Sequence, residues 1–397
     1  MINNSCRLVW VGALAGALAC LGGCEANGGG YVGEEPMDAG PVIVPDVPVV
    51  DVNFVAVPGL KSFPGAEGFG AEATGGRGGR VIYVTNLSFS GPGSLNDALA
   101  QTGKRYILFR VSGLINGSAY IRKGDVTIAG QTSPGGIILR GIYTGEENYC
   151  GNTCPANTRG QDNVIVRYLR SRPSEGDAGN AEQDALRVRF ARNIIVDHLS
   201  LGNAIDEAVE ISSSNRVTIM NTLLAETIGS HAERGGMLMN YSNPAAGYAL
   251  DQITIIRSVW NRLMGRYPEM SRESPAAANS TLRIELSNNL IWDQQFYIDA
   301  APTNGLTPFE GSPVFYQLNW AGNLGYARRT YRYAMINFPT PSMSRSSAWF
   351  HDDHLNLYPD RSDYQLQYCC SDFAMTRPPA TMPTWGRAER HDFPDVT

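Results

Sequence analysis

Short apolar runs recur along the chain from about residue 80 onward. The runs are rich in Val and Ile and hold only a few residues, which is typical of buried strands and too short for an ordinary helix. Several of them follow directly on Asp, Asn, Arg or Gln. The runs are Val81–Thr85, Ile107–Val111, Val126–Ile128, Val164–Tyr168, Ile194–His198, Val217–Met220, Ile253–Arg257 and Leu282–Leu286.

The spacing of these runs predicts a solenoid. From Val126 to Leu282 the starts of six successive runs are separated by 38, 30, 23, 36 and 29 residues. One β unit repeated at a loose period indicates stacked rungs with loops of different length between them. No long helical periodicity separates the runs, which argues against βαβ units. We therefore predict an all-β chain folded as a right-handed parallel β-helix. A propeller or a β-sandwich is the alternative, but a propeller would show hairpins and a more regular spacing.

The first residues have the pattern of an export signal. Arg7 precedes an apolar stretch from Leu8 to Leu21, which is short and rich in small residues and so favours a signal over a membrane span. The sequence Leu21-Gly-Gly-Cys24 is similar to a bacterial lipobox. We predict that residues 1–24 are a signal peptide of the lipoprotein type and that Cys24 carries a lipid anchor. Cleavage by ordinary signal peptidase, followed by simple secretion, is the alternative.

A spacer follows the predicted signal. Residues 25–60 combine a Gly28-Gly-Gly30 stretch with alternating Val, Pro and Asp, and the prolines forbid a regular ladder strand. We expect an extended linker here and a single folded domain over 61–397. The protein would then be secreted or held at the bacterial cell surface or outer membrane.

Charge limits the partners. The 397 residues carry a net charge of -6, and only 18% of them are charged. Such a balance excludes nucleic acid as a partner drawn by the overall field. A polyanionic ligand would need a local cationic cleft or a bridging metal. We expect a monomer.

Four of the seven cysteines remain after the predicted signal and the lipid candidate are set aside. In an exported protein an even count indicates disulfides, and four cysteines allow three pairings. We favour Cys150–Cys154, which leaves Cys369 and Cys370. A zinc site is the alternative, but no His has suitable ligand spacing around them.

Several motifs between about residues 63 and 325 give the chain a family resemblance. The motifs are Phe63-Pro-Gly-Ala-Glu-Gly-Phe-Gly70, Gly75-Gly-Arg-Gly-Gly79, residues 84–87, 90–95 and 109–113, Ile128-Ala-Gly-Gln-Thr-Ser-Pro-Gly-Gly136, residues 163–170, and Asp197-His198. On these motifs the chain resembles the pectate lyase family (polysaccharide lyase family 1), and more narrowly the bacterial secreted branch of that family.

The resemblance implies a calcium-dependent lyase. Such enzymes cleave (1→4)-α-D-galacturonan, the polygalacturonate of demethylated pectin, by β-elimination and give 4,5-unsaturated oligogalacturonides. It implies that Ca²⁺ is held by Asp184, Asp206 and Glu210. Oxygen ligands of this kind suit calcium, and adjacent rungs of a β-helix are about 4.8 Å apart. Glu210 stands where Asp is usual, and without a metal the pair Asp206 and Glu210 would be ordinary surface acids.

The resemblance also implies an arginine base. Arg266-Tyr-Pro268 matches the family motif, while Arg272 comes one residue later than usual and would bind a substrate carboxylate. Arg234 lies nearest a position that is usually lysine and would bind substrate and assist catalysis. Without these roles, Arg266 and Arg234 would be ordinary surface charges.

Two other functions remain open. A hydrolase on the same fold would need an acid and a base carboxylate at suitable spacing. A non-catalytic polysaccharide-binding β-helix would need neither the base nor the metal, and the departures at Glu210 and Arg234 are consistent with it.

Overall fold

Parallel strands dominate the computed structural model. It describes residues 59–145, 161–173, 183–229, 235–263, 265–270, 275–293, 315–327, 336–338, 345–369 and 380–397. Strands from these ranges form three long sheets, and the pairing between their neighbouring strands is parallel throughout. The all-β parallel β-helix predicted from the sequence is confirmed.

The first sheet carries one strand per rung and, within the described ranges, contains ten of them. All eight apolar runs singled out in the sequence lie on these strands or overlap them. The strands are Arg80–Val84, Arg105–Phe109, Val126–Ala129, Val164–Arg167, Arg192–Asp197, Asn215–Met220, Asp251–Ile256, Thr281–Ser287, Phe315–Ala321 and Ser347–His351.

The second and third sheets complete each rung. The second sheet consists of Ser118–Ile121, Gly141–Thr144, Leu186–Arg189, Glu207–Ser212, Gly235–Met239 and Glu269–Met270. The third consists of Gly113–Leu114, Ile137–Leu139, Arg170–Ser171, Ser200–Gly202, Leu223–Ala225, Val259–Asn261, Leu290–Asp293, Leu324–Ala327 and His354–Leu355.

Smaller elements lie outside the three sheets. Ile336–Phe338 pairs with Gln367–Cys369, and the α-helix Leu95–Ala100 packs near the first rungs. Short 3-10 turns span Gly130–Thr132, Pro244–Ala246, Pro275–Ala277 and Asp363–Leu366. Among the described residues, no helix has the length and apolar content needed to cross a membrane.

The core is a set of stacked aliphatic side chains inside the coil. Ile128, Val166, Val196, Ile219 and Ile255 fall in register on successive rungs, and each is at most 1% exposed. Burying a side chain of this size is favourable by about 1.5–3 kcal/mol. The repeated Val and Ile positions of the sequence therefore produce one continuous core along the axis.

A column of polar side chains follows the corner between the first and third sheets. The amide of Thr222 donates to Ser258 Oγ at 3.2 Å, and the amide of Ser258 donates to Asn289 Oδ1 at 3.0 Å. The amide of Asn289 donates to Asn323 Oδ1 at 3.0 Å, and that of Asn323 to Asp353 Oδ1 at 2.9 Å. This corner column satisfies turn amides that the sheets cannot pair.

A segment at 62–74 crosses the outside of the first sheet. The amide of Gly70 donates to Thr218 Oγ1 at 2.8 Å, and the amide of Phe69 donates to Thr254 Oγ1 at 3.0 Å. An added Cβ at Gly70 would lie 2.0 Å from the Ile194 carbonyl oxygen, so the close approach requires glycine. The segment buries a second apolar cluster of Ala66, Ala71, Ala73, Ile165, Ile195, Met220 and Ile256.

Several predictions fall outside the described residues. The predicted signal, the lipid anchor at Cys24 and nearly all of the linker lie before residue 59. Cys150, Cys154 and Cys370 are also outside them, as is the side chain of Cys369. These features stay predictions.

Candidate active site

Two adjacent rungs bring three carboxylates together at the second sheet. Asp184 lies two residues before the strand Leu186–Arg189, and Asp206 immediately precedes Glu207 at the start of the next strand. The carboxylates of Asp184, Asp206 and Glu207 each offer an oxygen within 4.8 Å of the other two. The three side chains are 1%, 8% and 2% exposed. We call these three residues the acid cluster.

Backbone hydrogen bonds fix the acid cluster. The amide of Glu207 donates to Asp184 Oδ1 at 3.1 Å, and the amide of Ala185 donates to the Glu207 carbonyl at 3.0 Å. The register therefore sets the two rungs so that Asp184 lies beside Glu207. The sequence prediction that Asp184 lies one rung before Asp206 is confirmed.

Glu210 has different neighbours from those expected of a metal ligand. Arg189 donates to it twice, from Nε to Oε1 at 2.9 Å and from Nη2 to Oε2 at 2.5 Å. Ser212 Oγ donates to Oε1 at 2.6 Å, and Arg187 Nε lies 3.3 Å from Oε2. Glu210 is not part of the acid cluster, although a role in metal binding stays a prediction for it.

Arg187 connects Glu210 to the acid cluster. Its Nε also donates to Asp184 Oδ2 at 2.7 Å. Burial raises the pKa of Asp184 to about 8; Arg187 opposes this rise, and the nearby Glu210 and Asp206 charges add to it. Burial alone would also raise the pKa of Glu210, but Arg189 and Arg187 hold that pKa below its ordinary value.

Arg266 reaches the acid cluster from two rungs further along. Its Nη1 donates to Glu207 Oε1, and its Nε donates to Glu269 Oε2 at 2.8 Å. The residue lies before the strand Glu269–Met270 with φ of 55°, an uncommon backbone conformation for a long side chain. The side chains of Arg266 and Glu207 are 9% and 3% exposed, so their contact is shielded from water, whereas Glu269 is 25% exposed.

Among the described residues, the site carries more negative than positive charge. When all groups are ionised, five carboxylates face three guanidiniums, which leaves two negative charges. The carboxylates are Asp184, Asp206, Glu207, Glu210 and Glu269, and the guanidiniums are Arg187, Arg189 and Arg266. A buried charge excess of this kind is costly unless protons or a cation compensate it. The oxygen donors of the acid cluster are those that Ca²⁺ prefers, so the residues present fit this ion.

The sequence did not identify every residue of the site. Arg234 and Arg272 lie outside the described residues, and their roles stay predictions. Arg187 and Arg189 were missed, and Glu207 was noted only as a spare acid beside Asp206. The alternation in Leu186-Arg-Val-Arg189 could have shown two arginines on one strand face directly after Asp184.

Comparison with known proteins gives relatives of one kind. No family model matches the chain. "Probable pectate lyase C" of Aspergillus flavus is 40% identical over 182 residues, 45% of this chain and 40% of that protein. The Aspergillus fumigatus protein of the same name is 40% identical over 186 residues, 46% of this chain and 40% of its own length. "Probable pectate lyase 9" of Arabidopsis thaliana is 27% identical over 179 residues, 39% of this chain and 36% of that protein.

Solved structures with a similar course of the backbone are more distant in sequence. The cedar pollen allergen jun a 1 is 16% identical, with a TM-score of 0.48, over 73% of this chain and 82% of the allergen. A Bacillus pectate lyase in complex with trigalacturonate is 14% identical, with a TM-score of 0.41, over 77% of this chain and 94% of the lyase.

These comparisons support the resemblance to pectate lyases but not the narrower resemblance to the bacterial secreted branch. The chain spans about two fifths of the length of the curated relatives described, and those relatives are fungal and plant proteins. The expected resemblance to a bacterial secreted branch is therefore not supported. Over slightly less than half of its length, the chain is similar to pectate lyases.

Proposed function

We propose that the chain is a calcium-dependent pectate lyase that cleaves polygalacturonate by β-elimination. The observation that carries the proposal is the contact of Arg266 with the acid cluster, in a chain 40% identical over 182 residues to a protein named as a pectate lyase. A cationic side chain beside three buried carboxylates suits a reaction that removes a proton next to a substrate carboxylate.

Asp184, Asp206 and Glu207 are the residues we propose to hold Ca²⁺. A bound calcium ion would supply Lewis acidity and would let an acidic protein accept a polyanionic substrate. Asp184 and Glu207 are fixed relative to each other by the backbone contact between their rungs. We assign Glu210 to the support of Arg187 and Arg189, since both guanidiniums contact it. This assignment differs from the ligand set that the resemblance implies.

Arg266 is the proposed base. An arginine side chain is ordinarily protonated at neutral pH, so it can act as a base only where its surroundings assist the loss of a proton. The contacts of Arg266 include the carboxylates of Glu207 and Glu269. Glu207 belongs both to this pair and to the acid cluster. We propose that Glu207 turns from Arg266 toward the cation position, which would release Arg266 from one of the two carboxylates named above.

Arg234 and Arg272 are proposed to hold substrate carboxylates. A guanidinium can donate two parallel hydrogen bonds to a carboxylate, so Arg234 is a plausible substitute for a lysine at its position. Export, with Cys24 as a lipid attachment site, is the proposal for localisation. Incorporation of labelled fatty acid by the wild-type chain and its loss in Cys24→Ala would test the anchor.

One assay separates the candidate functions. The full chain is given polygalacturonate with and without calcium, and both the ultraviolet absorbance of the unsaturated product and the reducing ends are followed. A lyase gives calcium-dependent absorbance, a hydrolase gives reducing ends without absorbance, and a binding protein gives neither. Arg266→Lys should lower the rate at least about a hundredfold, a loss in the range given for general acid–base groups. Arg262→Ala is the control, because Arg262 is exposed and pairs with Glu226. Full activity of Arg266→Lys would exclude Arg266 as the base.

A further inference from the structure

A cleft of about 850 Å³ lies on the outside of the first sheet, apart from the acid cluster on the second sheet. Its floor is formed by residues at equivalent positions of six successive rungs, which register places one above another. They are Asn163, Asn193, Arg216, Gln252, Arg283 and Gln317. Residues from 61–74 and 391–394 complete its lining. We call this the outer cleft.

The floor of the outer cleft is a row of amides and guanidiniums. Asn193 Nδ2 donates to Asn163 Oδ1 at 3.0 Å, and Arg216 Nε donates to Asn193 Oδ1. Asn163, Asn193, Arg216 and Gln252 all have φ between 53° and 61°. Arginine and glutamine residues seldom adopt this conformation, so Arg216 and Gln252 are held there at a cost in backbone conformational energy.

Part of this row has hydrogen-bonding capacity to spare. Within the described ranges, the side-chain amides of Gln252 and Gln317 make no hydrogen bond with protein atoms. Both side chains are half-buried at the floor of the cleft. An amide offers two donor hydrogens and an acceptor oxygen, which matches a ligand whose groups both donate and accept.

The charges of the outer cleft balance one another. The basic groups Lys61, Arg216 and Arg283 line the cleft together with the acids Glu72 and Asp392. Asp251 lies outside the lining and pairs directly with Arg283. Burial lowers the pKa of His391, which favours its neutral form. Counted together with Asp251, these groups carry no net charge, whereas the acid cluster region has an excess of negative charge. A ligand of this cleft should be uncharged.

We propose that the outer cleft binds an uncharged glycan chain laid across the rungs. Six rungs at about 4.8 Å spacing give a floor about 24 Å long, enough for several sugar units. The volume falls in the range of about 300–1,000 Å³ that is usual for ligand sites. Phe69 and Phe393, with ring centroids 5.2 Å apart, add an apolar wall on which sugar carbons can pack. The cleft would hold the protein on neutral glycan while the acid cluster stays available.

Calorimetric titration of the full chain tests the proposal. The probes are hexasaccharides of arabinan, β-1,4-galactan and xylan, with hexagalacturonate as the charged comparison. The test variant is Gln252→Ala/Gln317→Ala. The matched control is Gln131→Ala, which removes an exposed amide outside the cleft. Melting temperature and cleavage of polygalacturonate are measured on every variant.

We expect at least one neutral hexasaccharide to bind the wild-type chain and the control alike, and to bind the double variant at least tenfold more weakly. Cleavage of polygalacturonate should be the same in all three. The proposal is overturned if the wild type binds no neutral probe, or if the double variant binds as well as the wild type. A loss confined to hexagalacturonate would overturn the assignment to an uncharged glycan. Because cleavage is measured separately, a failure of the proposed lyase activity is distinguished from a failure of the outer cleft.

Discussion

Arg189 holds Glu210 of the next rung by two hydrogen bonds, from Nε at 2.9 Å and from Nη2 at 2.5 Å. Both side chains are buried, with 8% and 5% exposure. A buried carboxylate in such a pair serves first to compensate its arginine. The contact explains why Glu210, which lies four residues from Asp206, is not drawn into the acid cluster.

Removal of the Glu210 charge should therefore affect the stability of the fold more than it affects the binding of metal. Glu210→Gln leaves Arg187 and Arg189 buried without their shared carboxylate, and a broken buried pair costs about 3–5 kcal/mol. We expect a fall of about 3 kcal/mol in the free energy of unfolding, measured by urea denaturation with calcium removed. Glu226→Gln is the control, since its pair with Arg262 is exposed and contributes about 1 kcal/mol or less. Equal effects of the two substitutions would contradict the structural role of Glu210.

Substitution within the acid cluster should act on calcium itself. Glu207→Gln and Asp206→Asn each remove one charged oxygen donor from a set of three, and calcium affinity depends on the number of charged ligands. We expect affinity to fall at least about tenfold in calcium titrations by calorimetry. Glu269 contacts the same Arg266 but lies outside the acid cluster, so Glu269→Gln should retain the wild-type affinity for calcium. A tenfold loss in Glu210→Gln with none in Glu207→Gln would restore the ligand set implied by the family resemblance.

Asp353 should make stability depend on pH. Burial raises the pKa of its carboxyl well above the ordinary value, hydrogen bonds from Asn323 oppose the rise, and Asp363 and Asp352 add to it. A raised folded-state pKa means that the stability from the protonated group is complete below the ordinary value near 3.9 and is lost as pH rises through the raised value.

Asp353→Asn should remove this dependence. The amide keeps the Oδ1 acceptor that ends the corner column and carries no charge. We expect the melting temperature to rise by a few degrees at pH 8 and to change little at pH 4. The control is Asp352→Asn, a substitution at the exposed neighbouring residue. A variant less stable than the wild type at both pH values would show that the carboxylate is needed in its charged form.

Close approach at Gly70 should make this position intolerant of a methyl group. The Cβ of Gly70→Ala would lie 2.0 Å from the Ile194 carbonyl oxygen and 2.7 Å from the Thr218 nitrogen, and both are backbone atoms. Overpacking of this kind costs about 1–3 kcal/mol, and here it would also lengthen the hydrogen bond to Thr218. We expect a loss of about 2 kcal/mol or more in urea denaturation. Glu72→Ala, an exposed change in the same segment, should have little effect.

The first sheet could be predicted well because its strands have a plain apolar core pattern. Val217 and Ile219 point inward, and the equivalent residues of other rungs repeat the pattern. The second sheet was missed because its strands carry the site. Arg187, Arg189 and Glu210 interrupt the apolar pattern that identifies a strand.

The acid cluster could be predicted only in part. Asp184 and Asp206 follow from spacing and from the family resemblance. The presence of Glu207, and not Glu210, in the acid cluster depends on which arginine each acid contacts across a rung boundary. That pairing is set by register between strands more than 20 residues apart in the chain, as in the contact of Arg189 with Glu210. A single sequence does not contain it.

The segment at 62–74 should change the way in which the coil unfolds. A solenoid in which each rung touches only its neighbours can fray from either end, rung by rung. This segment and the residues just after it bond to Thr127, Thr218 and Thr254. Thr218 and Thr254 lie on adjacent rungs, whereas Thr127 lies three rungs before Thr218. Any rung in that interval must therefore break contacts shared with distant rungs before it can open. The middle of the coil, where the acid cluster lies, should exchange its amide hydrogens as a single block.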